Sequence, residues 1–513
     1  MIASEQSVAI PGFRGLDLRF NKPSPEPGYT RSLLNVVVRD NTVQGRGAVD
    51  FDATFGAAMS ENVCGMMPYV SSALATTLLR MGASKIEKSL NAGAWSDITG
   101  TALTGAATDK PQWVPYRDTL YWTNEGQDRP RYWENSGNTN VISTAPWAKA
   151  IQSYEGFLFL LNVSDDGTTF YPRQARYSED PQNDWTLCEG NELNFHETPG
   201  AVLGMGVFGR MAAVIKEDAV VYLRWIGGQV RFAQELARGS QGTLAPLSIQ
   251  GLGEKGVIYL GADYELYIIT PSEILPLAPR VNDLLQSTLT KANVQNCRSC
   301  VVPSLEQYNL FFPINASGGN TGRIQFNYRT GEFSYSTYPS HAFDAVEMVR
   351  WTATAADSVI GSVNTNTFTL DSTPKVDEIT ASTAQSVSRY YDTDWLQYSN
   401  VNEGRVVQVA SKFTGATLRF KASAYAKCAV SVAIDHKNTF RFRKVYDLRP
   451  VHSTDEYVHV HYDLPPVQGE WFNLRVEFLP STTENPVLHA GWLHFVPDPN
   501  KRDVNRAASY SEA

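Results

Sequence analysis

The feature that most constrains this chain is a recurring hairpin. Between about residue 84 and residue 385 the same unit returns: an apolar strand, a polar or glycine-containing turn, then a strand rich in Tyr, Trp or Phe. The first unit runs over 118–123, turns at Asn124 and Gly126, and resumes at Arg131, Tyr132 and Trp133. Later units begin near Gly156, Met211, Gly256, Tyr308 and Ser358. Their turns fall at Asp165 to Gly167, Glu217 and Asp218, Gly261 to Asp263, Gly318 and Gly319, and Asn364 to Asn366. The starts lie about 40–55 residues apart, the length of one four-stranded propeller blade. The pattern predicts an all-β chain with a six-bladed β-propeller over 61–385. A seventh blade follows if residues 85–99, which contain Trp95, head one of their own. No Trp-Asp dipeptide recurs, so the array is not of the WD40 type.

The flanks read differently. Residues 1–60 carry Pro11, Pro23, Pro25 and Pro27 among several glycines, and are expected to form an irregular arm. Residues 33–38 are the one stretch there with strand character. Over 386–497 the texture becomes seven short alternating strands, at 405–413, 416–424, 428–435, 438–446, 456–463, 471–479 and 488–496. That number of strands in so short a span predicts a C-terminal antiparallel β-sandwich. Residues 498–513 read as a polar tail. Helix is expected only over 280–295 and 71–81.

Composition narrows the function classes. A net charge of −9, from 44 basic and 53 acidic residues, disfavours tight nucleic-acid binding, which needs clustered cations on phosphates. Five cysteines (Cys64, Cys188, Cys297, Cys300 and Cys428) do not make a disulfide framework. The opening residues lack a basic stretch followed by an apolar one, so no signal peptide is expected. No apolar run is long enough for a membrane span. A charged fraction of 19% fits a chain that hides surface in partners.

Candidate chemistry is thin. Cys297 and Cys300 form a lone CxxC, without the second ligand pair a zinc site needs. His459 and His461 share a strand face and could chelate with Asp455, Glu456 or Asp463, although a solvated face is the simpler expectation. Gly204, Gly206 and Gly209 match GxGxxG but lead into a strand, not the helix that dinucleotide binding requires. Residues 164–167 resemble a calcium-loop fragment without its distal ligands and read as a hairpin turn. Asn162 and Asn315 open glycosylation sequons that matter only after secretion. No Gly-x-Ser-x-Gly elbow or ordered triad occurs. The chain is therefore expected to be no enzyme, with no catalytic, cofactor or metal residue.

Residues 208–285 carry a resemblance. Arg210 to Leu223, Phe232, Gly239 to Ile249, Gly256 to Gly261, Glu265 to Tyr267, and Pro271, Pro276 and Pro279 resemble the propeller core of tail hub or nozzle proteins of short-tailed bacteriophages, also called DNA-stabilisation or tail accessory proteins. Asn183 to Trp185, Leu34 to Val36, Gly45 to Gly47, and Trp471 to Arg475 are similar as well. Ala262 and Asp263 depart from the Asp-Gly turn such blades often carry. The resemblance implies a homo-oligomeric ring, a hexamer, below the portal and adaptor proteins. It implies a virion tail part, assembled in the bacterial host cytoplasm, that extends and closes the channel for double-stranded DNA and anchors tail fibres or spikes. Two alternatives stand beside it. One is a carbohydrate-binding or glycoside-active propeller protein, with Trp471 and Trp492 as glycan contacts. The other is a generic propeller scaffold for protein partners.

Overall fold

The computed structural model describes residues 6–497, apart from 11, 18–28, 186–190, 229–230, 278, 315, 317, 353–354, 373–376, 381–382, 386–387, 394–398, 403–404, 409–410, 423–425, 436–438, 450–456, 470 and 480–485. The polar tail, Cys188, Asn315, Asp455 and Glu456 lie outside the described residues.

The chain is all-β, and its propeller has seven blades. The innermost strands are Gly65–Val70, Gln112–Tyr116, Trp147–Tyr154, Val202–Phe208, Gln250–Gly251, Arg298–Val302 and Ala345–Val349. Each packs on the next, and Ala345–Val349 packs back on Gly65–Val70 to close the ring. The second strand of a blade is covered on both faces by neighbouring blades, so it reads as a continuous apolar run. Phe157–Ser164 and Gln307–Pro313 are buried at every position for that reason.

The additional blade is the first one, and it corrects the count of six. Thr76–Met81 is its second strand, not a helix. Leu79 and Met81 enter one core cluster while Leu78 enters another, the two-residue alternation of a strand. The residues around Trp95 form its outer edge: Ser96–Asp97 pairs with Ile86–Leu90. The other expected helix is present but broken. Helix Asn282–Thr288 stops at an extended Leu289, and a 3-10 turn follows over Lys291–Asn296.

Several of the described residues between Gln6 and Asp50 form short strands rather than an irregular arm. Gly15–Leu16 and Tyr29–Thr30 extend the sixth blade. Ala48–Asp50 is the outermost strand of the seventh, paired with Asn366–Ser372, so the two ends of the propeller segment are fastened by strand pairing. These strands are only two or three residues long. Gly47 serves close approach: a Cβ there would sit 2.3 Å from the Asp371 Cα.

The sandwich also recruits this segment. One sheet runs Val458–Gly469, Ser411–Lys421, Val487–Pro497, Thr42–Gly45, Val36–Arg39, with Gln6–Ala9 added along Val487–Pro497. The other runs Leu33–Leu34, Tyr390–Asp392, Phe472–Phe478, Lys427–Ile434, Arg441–Asp447. Phe413, Phe472 and Phe495 meet between the sheets, with ring centroids 5.2 to 5.7 Å apart. Asn35 is the junction of all three parts. Its Oδ1 accepts from the Thr337 amide at 2.8 Å and Arg46 Nε at 3.2 Å, and its Nδ2 donates to the Ser388 carbonyl at 2.9 Å.

Candidate functional site

The seven innermost strands surround a cavity of about 270 Å³ on the propeller axis. Small residues let the strands converge there. A Cβ on Gly206 would fall 2.5 Å from Val257 Cγ1, and one on Gly204 would fall 2.7 Å from Ile249 Cδ1. The GxGxxG match is thus an innermost strand followed by a turn at Gly209, not a dinucleotide cradle.

Amide side chains brace this axis. Gln112 Nε2 donates to the Leu203 carbonyl at 3.1 Å, Gln152 Nε2 to Met205 at 3.1 Å, and Gln250 Nε2 to Ser299 at 3.0 Å. Ser299 Oγ donates to the Leu247 carbonyl at 2.8 Å. Each bond joins the inner strand of one blade to another blade, satisfying backbone acceptors that pairing within a blade leaves free.

Two ionisable side chains line the same cavity. Glu347 accepts the Met348 amide at 3.0 Å, but burial dominates and pushes its carboxyl up to about 8. A carboxyl raised that far is mostly protonated at pH 7. Arg298 is 8% exposed, and its Nε donates to the Asp344 carbonyl at 2.7 Å. Burial lowers its pKa, yet guanidinium stays charged from so high a starting value. The cavity can hold a small polar molecule through a cation, a protonated acid and several amides. Neither Glu347 nor Arg298 was singled out by the sequence. The available signal is glutamine at equivalent first-strand positions, Gln112, Gln152 and Gln250, which marks the axis once the blades are aligned.

The sequence candidates are scattered elsewhere. Cys297 and Cys300 are fully buried on opposite sides of their strand, in separate core clusters, and cannot face one ion. Burial pushes the Cys297 thiol up to about 12. His461 Nδ1 lies 3.1 Å from Thr417 Oγ1, which reaches His494 Nε2 at 2.7 Å, and Ser7 Oγ meets His494 Nδ1 at 2.9 Å. This is a hydrogen-bonded row across a sandwich face, and His459 is exposed beside it. No group of three His, Cys, Asp or Glu side chains suited to a metal occurs among the described residues. Asp166 caps its own turn, accepting the Thr168 and Thr169 amides at 2.8 and 2.7 Å. Asn162 is buried within a strand, closed to glycosylation. Trp471 directly precedes Phe472–Phe478 of one sandwich sheet, and Trp492 lies in Val487–Pro497 of the other. No helix among the described residues is long and apolar enough to cross a membrane.

No protein-family model and no curated protein matches the sequence. Among solved structures, apo AztD from Citrobacter koseri aligns at 14% identity and TM-score 0.35, over 59% of this chain and 80% of that one. A second AztD crystal structure from the same organism aligns at 15% identity and TM-score 0.36, with the same coverage. PorZ, a bacterial surface component of the type-IX secretion system of Porphyromonas gingivalis, aligns at 9% identity and TM-score 0.38, over 79% of this chain and 46% of PorZ. These likenesses are too slight to bear on ligand, partner or activity.

Proposed function

We propose that this chain is a structural subunit of a short-tailed bacteriophage tail, forming a ring that extends and closes the DNA channel below the portal and adaptor and anchors fibres or spikes. The observation that carries the reading is the resemblance of residues 208–285, together with 34–36 and 45–47, to tail hub or nozzle proteins. Those residues occupy demanding places in the architecture. Residues 208–285 hold most of blades four and five, and 34–36 and 45–47 lead the N-terminal segment through the sandwich to the strand that completes blade seven.

The physical setting is compatible. An axial cavity of about 270 Å³ admits a small molecule and not a duplex. DNA in such an assembly passes between subunits, and the net negative charge of each chain limits adhesion. A closed ring needs heterologous contacts between different faces of identical subunits. Leu74 is suited to one of them. It is 67% exposed at a hairpin tip, beside Val70 at 54%, and holds φ +59. Particle imaging of the purified chain mixed with cognate portal and adaptor proteins tests the proposal. A ring stacked on the adaptor is expected; a chain that stays monomeric and never joins the complex overturns it.

A further inference from the structure

Two residues far apart in the chain share an unusual pair of properties. Among the described residues, Leu74 and Phe442 are the two large apolar side chains that both hold a positive φ, at +59 and +56, and stand in solvent, at 67% and 45% exposure. A bulky residue in that conformation is strained, and neither recovers the cost by burial within the chain.

Their surroundings carry opposite charge. Phe442 lies on Arg441–Asp447, the exposed edge strand of its sandwich sheet, between Arg441 and Arg443 and two residues from Lys444. Arg443 meets Glu477 at 2.8 Å, while Lys444 Nζ donates to a neutral acceptor, the Asp463 carbonyl. Leu74 sits at a hairpin tip of blade one, where Ser72 donates its amide and hydroxyl to the Asp118 carboxylate at 2.9 and 2.8 Å. Arg117 Nη1 donates to the Glu179 carbonyl at 2.9 Å, and Gln182 Nε2 to Glu134 at 2.9 Å. The exposed carboxylates Asp118, Glu134, Glu179 and Asp180 thus gather on the side of the tip that faces blades two and three, with Arg117 the cation among them. The same split holds between the two parts of the chain. Residues 61–385 have 33 acidic and 23 basic side chains, and residues 386–497 have 11 and 12.

We propose that the Phe442 edge of one copy docks on the Leu74 tip of a second copy, with Arg441 and Lys444 set against the carboxylates beside that tip. This inference rests on the ring reading above and names the two faces that meet. Charge selects the pairing. Edge against edge would oppose the same cations, and tip against tip the same carboxylates, so both two-fold contacts are disfavoured. A contact between unlike faces passes from copy to copy and closes into a ring where the rotation allows. Each face covers the exposed apolar side chain of the other, which neither can bury alone.

Cross-linking of the full-length chain tests this. Leu74→Cys and Phe442→Cys are made as separate variants. Cys64, Cys297, Cys300 and Cys428 are buried, and wild type treated in parallel controls for every native thiol. A short bismaleimide should join a mixture of the two variants into covalent pairs, in a yield about tenfold above that of either variant alone. Adding Arg441→Glu and Lys444→Glu to the Phe442→Cys chain should cut that yield about tenfold. Adding Glu134→Lys and Glu179→Lys to the Leu74→Cys chain should then restore it, a rescue that a misfolded chain would not give. Equal yields from the mixture and from a single variant, or charge reversal without rescue, overturn the proposal. Sedimentation of wild type separates this contact from the ring itself. Oligomers without cross-linking overturn the pairing and leave the ring standing on other faces. A monomer at every concentration, without cross-linking, overturns the pairing and leaves imaging with portal and adaptor to decide the ring.

Discussion

Arg323 Nη2 lies 2.6 Å from Asp371 Oδ2, an ion pair that ties blade six to blade seven. The arginine side chain is wholly inaccessible and is further held by Asn309 Oδ1 and by the Tyr338 hydroxyl at 2.9 Å. Asp371 also holds φ +57, a conformation Asn tolerates. Asp371→Asn therefore removes the charge and little else. Stranding the buried guanidinium should cost about 3 kcal/mol. Urea denaturation of the two proteins checks the value, and a midpoint equal to wild type would show that Asn309 and Tyr338 suffice.

Gly47 offers a steric test of propeller closure. An added Cβ would sit 2.3 Å from two Asp371 backbone atoms, which no side-chain rotation can relieve. Gly47→Ala should push Ala48–Asp50 off its partner strand and destabilise the protein by about 3 kcal/mol. Limited proteolysis supplies the local readout. Cleavage within the first fifty residues should appear in the variant well before it appears in wild type.

Glu347 sets a pH dependence of stability. Its carboxyl has an ordinary value of 4.5 in the unfolded chain and is pushed up to about 8 in the fold by burial. Between those values the folded protein holds a proton that the unfolded chain releases, so stability falls as pH rises. The loss is absent below 4.5, grows through the window and is complete above about 8. Glu347→Gln mimics the protonated acid and lacks this slope. Melting temperatures at pH 5, 7 and 9 should show the variant gaining on wild type at each step, because every other titration is common to both.

The parts of the fold that were legible are those where burial writes a local pattern. Middle strands such as Phe157–Ser164 announce themselves because both faces are covered. The helix near 280–295 showed through Val281, Leu285 and Leu289, all buried on one side. The first blade was legible only in its outer half, at 85–99, because Leu78 and Met81 stand three apart and imitate a helical face. The strand Ala48–Asp50 was illegible for another reason: it is three residues long and its partner lies at the far end of the propeller, so only a non-local pairing makes it a strand. The axial residues carry no local mark either. A single Glu or Arg on a short strand looks like any surface charge until seven strands converge on it.

Leu74 combines backbone strain with exposure. At φ +59 a leucine costs about 1–2 kcal/mol relative to a right-handed conformation, and Asn carries that conformation more easily. At 67% exposure its side chain returns little burial within the subunit. Leu74→Asn should therefore raise the melting temperature of the isolated chain or leave it unchanged, contrary to most leucine replacements. If the hairpin tip meets a neighbouring subunit in a ring, the same variant should assemble less well. Sedimentation of wild type and variant across a concentration series separates the two effects. Unchanged assembly with a raised melting temperature would place the ring contact away from blade one.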